Sequence, residues 1–239
     1  RLPRACHMAA QQHPTIAMPP AVTVLQLDTD FPRITGDVGA HSTYREDIEI
    51  IRIRAATVAK VVTDTPVQID IAPFETALGS AKGEVIVTSC GFLSYWQNYL
   101  ATQTCKPFIS SSLIALETLS QSYSPEEILI LTFDADCLNV SHLGQHKAYA
   151  SSILGLPINC HLREVISNNL THLDADLAGA EIVAHVSKHL TQKHRHILLE
   201  CTNLPPYKAA LTQQTGLPVT DILTLIEFER AGTIHSDFL

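Results

Sequence analysis

Two cysteines carry the strongest chemical signal in this chain. Residues 85–110 read VIVTSCGFLSYWQNYLATQTCKPFIS, and residues 196–221 read HILLECTNLPPYKAALTQQTGLPVTD. Displaced by 111 positions, the first stretch lies on the second without a gap, and Cys90 falls on Cys201. Leu93, Leu100, Gln103, Thr104 and Pro107 likewise fall on Leu204, Leu211, Gln214, Thr215 and Pro218. A thiol that recurs at one point of an internal repeat implies two thiols facing one another. Such a pair can take a proton from one face of a bound carbon and return one to the other face. One partner must then be a thiolate and the other a thiol. The transfer needs no cofactor, and none is expected.

The elements around each thiol must position it. Both units read as an apolar strand, a cysteine at its C-terminal end, a helix, and a second strand entered through proline. Free N–H groups at a helix start favour a thiolate and lower its pKa. After Cys90, the run from Ser94 to Gln97 fits a capping box. After Cys201, Thr202 or Asn203 can cap, and Pro205 or Pro206 can open the helix. The same N–H groups can hold a substrate carboxylate, which makes Thr202 and Asn203 candidate binders. Cys105, Cys137 and Cys160 have no repeat partner and read as small buried hydrophobes.

A second repeat sets the frame. Residues 25–30 (LQLDTD) and 131–136 (LTFDAD) share one pattern at an offset of 106. Strands are expected at 22–27, 48–53, 128–133 and near 156–160. Helical pieces are expected at 56–62, 69–78, 111–122, 162–168 and 177–190, and near 140–150. Strands alternating with helices imply parallel sheets covered by helices. The expectation is an α/β fold of two doubly wound parallel-sheet domains related by a pseudo-twofold axis, with the active site in the cleft between them. Ligands of such sheets bind beyond the carboxyl ends of the strands.

The first domain is expected at 11–110 plus 222–239 and the second at 111–221, with the helices after Pro107 and Pro218 exchanged between halves. Residues 1–10 read as an expression leader and lead-in. Asp28 could orient a substrate ammonium or modulate a thiol, whereas Asp134 reads as a turn cap. The loop at 31–45 is long enough to suggest function. Its Arg33 reads as a solvated side chain rather than the partner of a second carboxylate.

Composition excludes several classes. The formal net charge of −8 over 239 residues leaves no basic footprint for nucleic acid or an anionic membrane. No apolar run approaches the roughly 18 residues of a membrane span. The six cysteines include no CxxC pair, so free thiols in a reducing, cytoplasmic compartment are expected rather than zinc or a disulfide scaffold. His189, His194 and His196 straddle a helix end and read as its charge complement, not as metal ligands.

The motifs TSCGFL and LECTNLPPY, with the opening LDTDFPRITGDVG, resemble the aspartate/glutamate/hydantoin racemase superfamily over most of residues 22–225. The resemblance implies a cofactor-independent isomerase with Cys90 and Cys201 as its acid/base pair. It further implies a small carboxylate substrate, an amino acid or hydantoin-like compound, and often a homodimer. Asp28-Thr29 matches the Asp-Ser pair after the first strand of glutamate racemases. Thr202-Asn203 stands where those enzymes have Thr-His, and Gly91-Phe92 where they have Asn-Thr. The second departure removes two polar groups that contact an amino-acid substrate, and leaves Gly91 and Phe92 as substrate-side positions of changed character. Two other readings stay open. One is a maleate-type cis-trans isomerase or arylmalonate-type decarboxylase on the same scaffold. The other is a two-lobed protein that binds a small ligand without turning it over.

Overall fold

The computed structural model describes residues 18–239. The leader, Cys6 and most of the lead-in lie outside the described residues.

Two four-stranded sheets, parallel throughout, form the frame. The first runs β2–β1–β3–β4, with β1 at Val22–Leu27, β2 at Ile48–Ile53, β3 at Val85–Thr88 and β4 at Phe108–Ile109. The second runs β6–β5–β7–β8, with β5 at Ile128–Thr132, β6 at Ile153–Gly155, β7 at His196–Leu199 and β8 at Val219–Thr220. The order is the same in both, and β3 and β4 map onto β7 and β8 at the offset of 111 seen in the sequence. Each sheet reverses direction of winding beside its central strand, at β1/β3 and at β5/β7. Those are the switch points where α/β sheets open a crevice.

Strand alternation divides the core. Val22, Val24, Val85 and Val87 face a cluster completed by Ile222, Leu223 and Ile226 of the helix Ile222–Glu229. Leu25, Leu27 and Ile86 face the opposite way. There they join Leu113 and Leu116, on the short helical turns after β4, together with Ile128, Ile130 and Leu198 of the second sheet. The far face of that sheet, with Leu129, Leu131, Ile197 and Leu199, packs on Val165, Ile182, Val186 and Leu211. So the helix after β8 covers the first sheet, and the turns after β4 contribute to the layer shared with the second. On this packing we propose the division 11–110 plus 222–239 and 111–221.

Local chemistry decides the details. Asp221 caps its helix through a capping box with Thr224. The helix Lys208–Thr215 ends on Gly216 at φ 69°, the left-handed turn that glycine adopts without penalty. Three expectations are corrected. The strand near 156–160 is Ile153–Gly155, ended before Pro157. The helix near 140–150 is a 3₁₀ stretch at Gly144–Ser152 broken at His146 (φ −92°, ψ 35°). Ser94 forms no capping box, because a 3₁₀ turn at Gly91–Trp96 follows Cys90 and the Ser94 hydroxyl donates to the carbonyl of His142. No helix among the described residues is long and apolar enough to cross a membrane.

Candidate active site

Two residues past β3 and two past β7, Cys90 and Cys201 enter one cavity between the sheets. Residues 89–92 and 200–203 supply its polar floor, and Leu27, Phe31, Val58, Val62, Phe133 and Ile166 its apolar wall. The cavity holds about 30 Å³, the scale of one or two waters, so any organic ligand must spread its walls. Both cysteines are free and buried.

Bonds between the halves fix the floor. The Thr202 hydroxyl donates to the carbonyl of Ser89 at 2.7 Å. Within the second half, the Ser112 hydroxyl donates to the carbonyl of Leu199 at 2.6 Å. The Asn203 amide donates to Asp37 Oδ2 at 2.6 Å. That bond turns the Asn203 carbonyl toward Cys201, whose Sγ lies 3.7 Å from Oδ1. An acceptor there favours the thiol over the thiolate.

The helix-terminus argument for lowered thiol pKa values is overturned. Burial pushes the Cys90 thiol up to about 12, and Glu200 adds to the rise. The Phe92 N–H and the Arg33 guanidinium oppose this without winning. Burial and Glu200 also push Cys201 well above the ordinary thiol range, with Cys90 and Asp37 adding to the rise. Buried in this way both groups rest as thiols, and a positive charge beside them would favour a thiolate.

The other sequence candidates separate. Gly91, Phe92, Thr202 and Asn203 line the cavity. Asp28 does not: its carboxylate accepts from the Ala55 N–H at 2.8 Å and from Arg52 Nε at 2.6 Å. These bonds hold its pKa below the usual carboxylate range. Thr29 is buried but does not line the cavity, and its hydroxyl accepts from Arg33 Nη2 at 3.3 Å. Asp134 is paired with Arg163 at 2.9 Å and accepts from the Asp136 N–H, consistent with a turn role. Cys105 is exposed rather than buried. His196 is buried in β7 against Thr220, while His189 and His194 bond to neighbouring loop and helix groups. Among the described residues no group of three or more His, Cys, Asp or Glu side chains is placed to hold a metal ion.

Sequence reasoning read Arg33 as solvated and did not single out Glu200, yet both line the cavity. Arg33 is half-buried, pairs with Asp37 at 3.1 Å, and lies with its guanidinium carbon 4.6 Å from the Phe31 ring centre. Glu200 is fully buried, and burial pushes its carboxyl up to about 7 despite the hydrogen bond from Thr132. The signal for Glu200 was present: an acid closing the apolar strand HILL, next to a thiol, is rarely placed there for packing.

No family model matches the chain. Among solved structures, allantoin racemase from Klebsiella pneumoniae superposes with a TM-score of 0.60 at 12% identity, covering 88% of this chain and 86% of that one. Picrophilus torridus aspartate racemase gives 0.51 at 11% identity, covering 91% and 97%. The fold is that of the aspartate/glutamate/hydantoin racemase superfamily. Sequence relatives point elsewhere within this superfamily fold. The chain is 27% identical over 230 residues to dimethylsulfoniopropionate lyase 5 of Emiliania huxleyi (strain CCMP1516), which covers 90% of the chain and 45% of that protein. Four further relatives, at 25–28% identity, carry the same lyase name. The chain spans 45–64% of the length of three Emiliania huxleyi relatives. These relatives overturn the expected racemase or epimerase activity on an amino acid or hydantoin: the superfamily fold is shared, the named reaction is not.

Proposed function

We propose that this chain is a lyase that eliminates dimethyl sulfide from dimethylsulfoniopropionate or a close β-sulfonio carboxylate. What carries the reading is the set of five relatives named for that activity, which align over 86–90% of the chain. The cavity chemistry supports it. Elimination and racemisation share a first step, removal of a proton from the carbon next to a carboxylate. When the next carbon carries a good leaving group, the electron pair goes to a double bond instead of back to a proton.

Cys90 is the base in this reading. Each sulfur has a matching backbone N–H that favours its thiolate, from Phe92 at Cys90 and from Asn203 at Cys201; Arg33 further favours the Cys90 thiolate, whereas the Asn203 side-chain carbonyl favours Cys201 as a thiol. A sulfonium entering beside the two sulfurs supplies a positive charge that favours the thiolate. The Cys90 thiolate takes the α-proton, the C–H pair becomes the carbon–carbon double bond, and the β-carbon–sulfur bond breaks. Sulfur leaves with that electron pair as neutral dimethyl sulfide. Acrylate remains, and the proton stays on Cys90 until it passes to solvent. The Cys201 thiol donates toward the substrate carboxylate as charge builds there. The apolar wall keeps water from the carbanion-like transition state.

The test is direct. The purified chain is incubated with dimethylsulfoniopropionate, dimethyl sulfide is followed in the headspace, and acrylate by NMR. Both products should appear in equal amounts. A folded protein that releases neither overturns the reading.

A further inference from the structure

Glu200 and Arg33 share an oddity. Glu200 Oε1 and Arg33 Nε are both buried, and neither has a hydrogen-bond partner. Both residues line the same cavity, yet they form no ion pair with one another: Arg33 pairs with Asp37, and Glu200 with Thr132. An orphaned acceptor on an acid and an orphaned donor on a base, enclosed together, are each costly. One small zwitterion spanning them would set a positive charge beside the acid and give the Arg33 donor a carboxylate.

The surroundings of each group fit opposite ends of such a molecule. Glu200 Oε1 fills the space a side chain would need at residue 91; a Cβ on Gly91 would come within 2.0 Å of it. Glycine there lets the carboxyl reach across from the second half to the floor of the first. Phe31, Phe92 and Phe133 line the same cavity. Arg33 lies over the Phe31 ring and Arg163 over the Phe133 ring, so the apolar lining excludes water and the buried acid supplies the attraction for a methylated cation, which offers no N–H or O–H to bond. At the other end Arg33 keeps Nε free while its two terminal nitrogens are held by Asp37 and Thr29. A guanidinium fixed in this way presents a preset donor to a carboxylate.

We propose that Glu200 is the specificity-determining residue for the substrate cation, with Arg33 taking the carboxylate, so that the cavity selects short zwitterions over plain carboxylic acids. The inference takes its ligand from the elimination reading, but its test needs no turnover. Calorimetry on the wild-type chain compares 3-(trimethylammonio)propionate, a zwitterion with a poor leaving group, with 4-methylpentanoate, which keeps the carboxylate and the branched end without the charge. The zwitterion should bind about tenfold more tightly or better. Glu200→Gln, which keeps the size and the bond to Thr132, should erase that preference and leave 4-methylpentanoate affinity within about twofold.

Equal binding of the two ligands by the wild type overturns the proposal, even if Glu200→Gln fails to fold. So does a preference that survives Glu200→Gln. Release of dimethyl sulfide without discrimination would sink this inference and spare the lyase reading. Discrimination without release would do the reverse.

Discussion

The two strand ends that build the site are copies in backbone and opposites in side chain. Past β3 the chain reads Ser89-Cys90-Gly91-Phe92; past β7, at the same repeat positions, it reads Glu200-Cys201-Thr202-Asn203. Ser89 is spent locally, accepting from the Leu27 N–H at 3.0 Å. Glu200 at the matching position carries an acid into the cavity. Gly91 gives up its side chain in the space that Glu200 Oε1 occupies, while Thr202 opposite it uses its hydroxyl to tie the halves together. Phe92 is apolar, and Asn203 orients Cys201. A reaction that runs equally in both directions through two mirror-related bases needs two similar thiols. This cavity has dissimilar ones, which suits a one-way elimination with a single base.

The comparison is broken most sharply through the thiols themselves. Cys90→Ser removes the proposed base, and dimethyl sulfide release should fall by about two to four orders of magnitude. Cys201→Ser keeps a hydroxyl that can still donate, so its loss should be clearly smaller. Headspace assays on both variants decide this. Equal losses would restore the symmetric two-base picture, and a larger loss at Cys201 would exchange the roles.

The second test concerns Glu200 and stability. Its folded pKa is raised, to about 7 from an ordinary 4.5. The unfolded chain therefore gives up that proton first, and between those values the native state holds more protons. Stability should fall as pH rises from about 4.5 to 7, by something on the order of 3 kcal/mol, and this contribution should be flat above. Thermal unfolding of wild type and Glu200→Gln across that range checks the sign: the variant should lack this decline. A wild-type curve parallel to the variant's would mean that Glu200 is not a buried, proton-holding acid.

A smaller effect tests the compensating glycine. Gly91→Ala places a Cβ 2.0 Å from Glu200 Oε1, and such overpacking costs about 1–3 kcal/mol. Gly79→Ala is the control. It sits within the helix Ala72–Ser80 with nothing within 4 Å, and should stabilise by about 0.5–1 kcal/mol. Denaturant midpoints of the two variants should move in opposite directions. In the double variant Gly91→Ala/Glu200→Ala the glycine penalty should shrink without vanishing, because the carboxyl is gone but the residue 200 carbonyl oxygen still lies 2.7 Å from the added Cβ.

These contrasts also mark what the sequence could convey. Strands β1 and β2 fall where apolar runs placed them, and the repeat offset located β4, β7 and β8, because those signals are local. The two thiols were legible for the same reason. The fate of a polar side chain was not. Asp28 stands at a strand end facing the crevice in outline, yet the parallel register pairs Gln26 with Arg52 and brings that guanidinium to its carboxylate. Arg33 reads as a loop cation until Asp37, four residues on, draws it inward. Partner choice of this kind depends on register and loop closure, which no spacing rule reports. The departure at Gly91 was visible as a lost polar contact. Its use as space for Glu200 required both halves to be assembled.

Asp28 supplies the smallest expected effect and so the finest control on the comparison. If the chemistry lies with the cavity cysteines and not with the repeated D-x-D motif, Asp28→Asn should leave dimethyl sulfide release within about twofold, the range of an exposed surface change. Its stability signature is separate and has a definite sign. The Ala55 N–H and Arg52 hold the Asp28 pKa below its ordinary value. The contribution is therefore present above the unfolded carboxylate range and is lost as pH falls through the folded value. Asp28→Asn should lower the melting temperature slightly at neutral pH, and the gap should close in acid. Added salt should narrow it too, since the ion pair with Arg52 is exposed to solvent. A large loss of activity with an unchanged melting curve would instead put Asp28 back at the reacting centre, and would require the loop at 53–56 to open in the working enzyme so that its carboxylate is released.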